Sequence, residues 1–225
     1  MRRPQAVKTL AMKIVVNPTI MLHSIKSISI VPSPKIMGLR FQSLAMLDAI
    51  LMPDWEFRYF SFNSKWSANE MMASMRNGEG DEYFFLINSS GTIGKIFCHE
   101  LNQTETSKQI LEKVPHDFKS FLNEAAFKLQ DVTCCLWQTA SNPKWIVSPD
   151  MIGEIPLLGF IENNGEYYRG WATQYYERDI PVSIVESVFA HQPLTNELLS
   201  KLPEKRNMND LIADASEIGY PYRTG

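Results

Sequence analysis

Apolar residues change their spacing along this chain, and the changes separate an early strand-bearing half from a late helical half. From Leu39 to Met52, the leucines Leu44, Leu47 and Leu51 recur at steps of three and four. That spacing places them on one face and predicts a helix, which Pro53 ends. From Trp55 to Phe62 the step becomes two, with Trp55, Phe57, Tyr59 and Ser61 alternating against Glu56, Arg58, Phe60 and Phe62. This predicts an aromatic-rich strand covered on one face. Ser67 and Glu70 stand at capping-box spacing, so the pattern predicts a helix from Ala68 to Arg76, closed by Asn77-Gly78.

A hairpin is predicted from Tyr83–Ile87 and Thr92–Cys98, joined through Asn88-Ser89-Ser90-Gly91, where Gly91 supplies a positive φ. Two further strands are expected at Val132–Gln138 and Lys144–Val147, joined across Ser141-Asn142-Pro143. Between these pairs, Pro115 opens a predicted helix over His116–Ala126, with Phe118, Phe121 and Leu122 on one face. From Asp150 onward the spacing is helical, at Met151–Leu158, Glu166–Glu177, Val182–Ala190, Thr195–Leu202 and Asp210–Ile218, each set off by Pro, Gly or Asn. Strands early and helices late predict an α+β fold, in which an antiparallel sheet built from N-terminal hairpins packs against C-terminal helices.

Charge adds a boundary. Residues 1–47 hold seven basic residues and no acid, so the rest of the chain carries 15 basic against 25 acidic residues, a net of −10. Residues 1–37 are expected to be a basic, disordered extension, with a single domain over 38–225. A start upstream of the true initiator and a transit-like leader are the alternatives for that segment. The uncharged stretch Ile14–Ser24 contains Asn17, Pro18 and His23, far short of the roughly 20 apolar residues of a membrane span. An acidic body repels phosphate backbones, so nucleic acid is not an expected partner, and for want of an apolar span neither is a membrane. With 44% hydrophobic and 21% charged residues the composition is that of an ordinary packed domain. Three cysteines, two of them adjacent, suit free thiols in a reducing, cytoplasmic compartment.

The residues that could carry chemistry are few. Cys98-His99 and Cys134-Cys135 could supply a zinc site if their strands pair, but neighbours on a strand face opposite ways, so buried thiols are the expectation and no metal or cofactor is implied. The chain has no G-x-S-x-G, no G-x-G-x-x-G and no phosphate-cradling loop. An enzyme, metal-dependent or hydrolytic, would have to use Cys98, His99 and the carboxylates of Asp81 and Glu82. Tyr168, Trp171 and Tyr175 share a helical stripe, which fits either a core-facing helix or a partner surface. Arg58 and Arg76 alternate with carboxylates, the setting for ion pairs between elements.

The stretch from Trp55 through Trp66, read as W-E-x-R-Y-x-S-F-N-S-x-W, with Ser74-Met75-Arg76 through Gly80-Asp81 and Tyr83, resembles a group of bacterial proteins without an assigned activity. The likeness extends to Tyr175–Pro181 and Glu217–Pro221 and covers roughly residues 39–221. It implies a bacterial cytoplasmic protein. Pro115 to Leu122 is similar to the P-x-x-[FY]-x-x-F-L helix of SMI1/KNR4-type immunity proteins, which neutralise toxins by binding them, although Asn123-Glu124-Ala125 stands where those proteins carry Asn-Gly-Gly. The expected function is a non-catalytic, immunity-like interaction module for a basic protein, with Trp55, Arg58, Trp66, Arg76, Asp81, Glu82, Tyr168, Trp171 and Tyr175 as candidate partner-binding residues.

Overall fold

The computed structural model describes residues 24–101, 105–150, 155–162 and 164–224. Its centre is a six-stranded antiparallel sheet in sequence order, β1 (Phe60–Ser67), β2 (Glu70–Arg76), β3 (Glu82–Asn88), β4 (Gly91–Phe97), β5 (Cys134–Thr139) and β6 (Asn142–Ser148). The α+β class and the antiparallel sheet from the N-terminal half are as the spacing predicts. The helices among these residues are α1 (Pro34–Leu51), α2 (Ser107–Leu111), α3 (Lys119–Leu122), α4 (Gly159–Glu162), α5 (Gly165–Tyr175), α6 (Val182–Phe189), α7 (Asn196–Leu199) and α8 (Met208–Ile218).

Helices cover both faces of the sheet. Tyr83, Phe85, Ile87, Ile96, Cys134 and Leu136 pack under α1 and the C-terminal helices. Their neighbours Phe84, Leu86, Ile93, Cys135 and Trp137 face the opposite way, onto Ile110, Phe118, Phe121 and Phe127. This second cover comes from the segment between β4 and β5, and it explains why β3 is buried at six consecutive positions. Helix α1 lies inside the molecule: every residue from Ser43 to Leu51 is buried, so its apolar residues go all round. Two glycines make the close strand packing possible. At Gly91, with φ +139°, a Cβ would sit 2.1 Å from the Gln138 carbonyl; at Gly94 it would sit 2.3 Å from the Phe85 ring.

Several elements differ from expectation. Ala68–Arg76 is not a helix. Ser67 pairs with Glu70 across a two-residue turn, and β2 bonds to β1 on one side and β3 on the other. The Ser67–Glu70 contact forms, at 3.0 Å, but it closes a hairpin instead of capping a helix. The strand expected over Trp55–Phe62 begins only at Phe60, because Trp55–Phe57 is a 3-10 turn. His116–Ala126 breaks into a turn at His116–Phe118, helix α3, and a turn at Ala125–Phe127. The breaks let Phe118, Phe121 and Phe127, each at 0% exposure, all reach the sheet.

Of the helix expected at Met151–Leu158, Met151–Glu154 lies outside the described residues. Ile155 instead pairs in an antiparallel bridge with Ile25, and Leu157 has φ +63°. The boundary expected at residue 37 also moves. Ile25, Val31 and Met37 are buried in the main core, and α1 starts at Pro34, so the folded body includes at least residues 25–37. Residues 1–23 of the expected extension lie outside the described residues.

Candidate functional site

Pro53 ends α1, and the chain then makes the 3-10 turn that carries Trp55 and Phe57 outward. Both rings are largely in solvent, 56% and 43% exposed. Tryptophan in particular is enriched among the residues that concentrate binding energy at interfaces. The turn is held by Arg58, whose side chain is only 5% exposed. Its Nε donates to the Met52 carbonyl at 2.8 Å and Nη2 to the Pro53 carbonyl at 2.9 Å. Nη1 and Nη2 grip Asp214 on α8 at 2.6 and 3.0 Å, a bidentate pair. Between this turn and α8 lies a shallow cleft of about 10 Å³, lined by Trp55, Asp214 and Glu217 over the buried Ala45, Phe60, Phe62 and Ile218. Asp54 and Glu56 add two exposed acids to the turn.

Behind this surface sits a buried carboxylate. Asp48, 0% exposed in the last turn of α1, accepts from the Tyr168 hydroxyl at 2.7 Å on Oδ1. Its Oδ2 accepts from the Tyr176 hydroxyl and the Phe60 amide, both at 2.7 Å, and from the Tyr59 amide at 2.9 Å. Burial pushes this carboxyl up to about 6, against the pull of those four donors. Tyr168, expected as a surface candidate, is therefore a core residue whose hydroxyl binds Asp48. Its stripe neighbours Trp171 and Tyr175 are half-buried and stacked at 4.9 Å, with Trp171 also against Tyr59, Phe60 and Phe160.

The remaining candidates lie elsewhere. Trp66 is half-buried and stacked on Phe127, and Arg76 is exposed with its guanidinium over the Phe84 ring at 5.2 Å. Asp81 and Glu82 are both buried, and they engage different partners. Glu82 binds Lys95 at 2.7 Å; this lysine, 0% exposed, also donates to the Asp131 carbonyl at 3.1 Å and the Lys128 carbonyl at 3.4 Å. Asp81 Oδ1 meets His99 Nδ1 at 2.7 Å and the His99 amide at 2.9 Å, while Asn77 donates to Oδ2 at 3.0 Å. The Asp81 hydrogen bond raises the His99 pKa, and the ring stays 42% exposed.

Cys98, next to His99 in sequence, turns into the core beside Cys134, and burial raises both thiols well above their ordinary value. Cys135 lies on the opposite face, its thiol pushed up to about 12 by burial. The four potential ligands of the two Cys pairs thus do not converge, and among the described residues no three His, Cys, Asp or Glu side chains group as a metal site. The expected set of nine resolves into the Trp55–Arg58 turn, the Tyr168–Tyr175 stripe, the Trp66 and Arg76 ring contacts on the far face of the sheet, and the Asp81 and Glu82 pairs.

Sequence reasoning missed Asp48, Asp214 and Glu217. Asp48 had a signal, as the one charge in the apolar run from Leu44 to Leu51. Asp214 had none, since its partner Arg58 is 156 positions away. No helix among the described residues is long and apolar enough to cross a membrane. Comparison with family models, curated proteins and solved structures finds no match.

Proposed function

We propose that this chain is a non-catalytic protein-interaction module, immunity-like in kind, which engages a basic protein partner in the bacterial cytoplasm. The observation that supports it most is the Trp55–Phe57 turn: two exposed aromatic rings on a turn clamped by Arg58, with Asp54, Glu56 and Glu217 around them. Rigid aromatics lose little conformational freedom on binding, and flanking acids steer a cationic partner toward them. The net charge of −10 over residues 48–225 extends that attraction over the whole body. Three buried free thiols fit a reducing compartment.

The test is to capture partners on the purified chain at low and high salt, purify any salt-sensitive basic protein, and titrate it calorimetrically against wild type and Trp55→Ala. We expect Trp55→Ala, with its circular dichroism unchanged, to weaken binding by about 10-fold or more, the loss typical of an interface anchor. A partner whose affinity ignores both salt and Trp55, or no partner together with a measurable turnover, overturns the reading.

A further inference from the structure

Helix α1 has exposed apolar side chains at both ends, and the charges around them are of opposite sign. Near its start, Ile36, Leu39 and Arg40 recur at steps of three and four and so share one face, with Lys35 one turn before Leu39. Ile36 is 49% exposed and Leu39 is exposed beside it. The segment leading into α1 adds the exposed Lys26 and Ile30. Residues 24–47 hold these three cations and no acid. About 20 Å further along, at 1.5 Å per helical residue, α1 ends and the Trp55 and Phe57 rings stand in solvent between Asp54 and Glu56, held there by Arg58. None of Lys26, Lys35, Arg40, Asp54 and Glu56 takes part in an ion pair among the described residues.

We infer that the start of α1 in one copy docks on the Trp55 turn of a second copy, so that the chain itself supplies a basic ligand for that turn; the inference rests on the reading of the turn as an interface. Ile36 and Leu39 cover the two rings, and Lys35 and Arg40 meet Asp54 and Glu56. The signs of charge select this pairing, because start against start or turn against turn sets like charges together. The whole chain carries only −3, divided as +7 over residues 1–47 and −10 over 48–225, so copies repel little and attract end to end. One copy cannot bring its own two ends together across the length of α1. The contact is therefore heterologous: each copy added leaves one start and one turn free, and copies add in a row. An anionic lipid surface would also suit the basic end, but it leaves the rings of the turn in water and meets the acidic body. Few side chains make up each patch, so the interface is small and the association weak.

The test is sedimentation velocity of the full chain at concentrations up to about 0.5 mM, which reaches the affinities of small interfaces. Wild type should form species beyond the dimer that grow with concentration and recede in high salt. Ile36→Glu and Trp55→Ala alter exposed positions at opposite ends of α1. Each should be monomeric with unchanged circular dichroism. Mixed in equal amounts, they should form a one-to-one pair and nothing larger, since each variant keeps the patch that the other has lost. A monomeric wild type, an oligomer that survives either substitution, or a mixture without the pair overturns the inference, as does a monomeric wild type that binds phosphatidylserine vesicles through Ile36. With a captured basic partner, the two readings separate. A monomeric wild type whose affinity for that partner falls in Trp55→Ala removes the self-contact and leaves the module, whereas self-association and partner affinity both unmoved by Trp55→Ala remove both.

Discussion

Replacing Asp48 separates the two energies its burial combines. In Asp48→Ala, the Tyr168 hydroxyl and the Phe60 amide lose the only acceptor they have on that side chain, while the Tyr176 hydroxyl and Tyr59 amide keep their mutual 3.0 Å bond. At about 1–3 kcal/mol for each buried group left unpaired, and with a cavity added, a loss of about 3–5 kcal/mol is expected. Asp48→Asn keeps the shape. Its amide oxygen serves the Oδ2 side and its NH₂ turns toward Tyr168, whose hydroxyl rotates from donor to acceptor. Near neutral pH the Asn variant should fall within about 1–2 kcal/mol of wild type.

The decisive comparison is across pH. The folded-state value of Asp48 is raised to about 6 by burial, against about 3.9 in an unfolded chain. Between those values the native state binds the extra proton. This contribution is therefore complete below about pH 4 and is lost as pH rises through 6, by up to about 3 kcal/mol. Urea denaturation followed by tryptophan fluorescence, run on wild type and Asp48→Asn from pH 4 to 8, isolates the term because all other titrations cancel in the difference. The Asn variant should gain on wild type by that amount over the interval. A difference that stays constant from pH 4 to 8 refutes the account of Asp48.

Two further outcomes follow from the other buried charges. Lys95→Met leaves Glu82 and the Asp131 carbonyl buried without their cation and should lower stability by about 3–5 kcal/mol in urea, with Lys95→Met/Glu82→Gln recovering much of the loss. His99 should titrate above the ordinary histidine value in an NMR pH series, and Asp81→Asn should return it toward that value; an unmoved titration would mean that the 2.7 Å contact does not hold the ring in solution.

The β3–β4 hairpin was legible because everything local agrees with it: apolar runs on both sides, polar residues in the turn, and a glycine where φ must be positive. β2 was not legible, for a reason that lies in the same chain. Glu70, Met71, Met72, Ala73 and Met75 all favour helix, and Ser67 stands at capping distance from Glu70. What outweighs these preferences is non-local, since β2 exchanges backbone bonds with both β1 and β3. Glu70 then finds a different use. Burial would raise its pKa, but Ser120, Asn88 and Ser67 all donate to it and hold it below the ordinary value, tying the β1–β2 turn to α3.

The candidate site shows the same division between local and distant causes, and it connects the buried acid to the exposed surface. Had the strand begun at Trp55, as alternation predicts, Trp55, Phe57 and Tyr59 would share one face of the sheet and be covered together. Asp48 instead takes the amides of Tyr59 and Phe60, which places the start of β1 at Phe60 and leaves the three residues from Trp55 to coil outward. Arg58 then fixes the coil, since one guanidinium satisfies the Met52 and Pro53 carbonyls at the end of α1 and binds Asp214 as well. An acid buried in α1 and an arginine clamp anchored 156 positions away thus decide that two aromatic rings face solvent. Neither cause is visible in the two-residue alternation of Trp55–Phe62, which is why that alternation predicted a covered strand at the place where two aromatic rings face solvent.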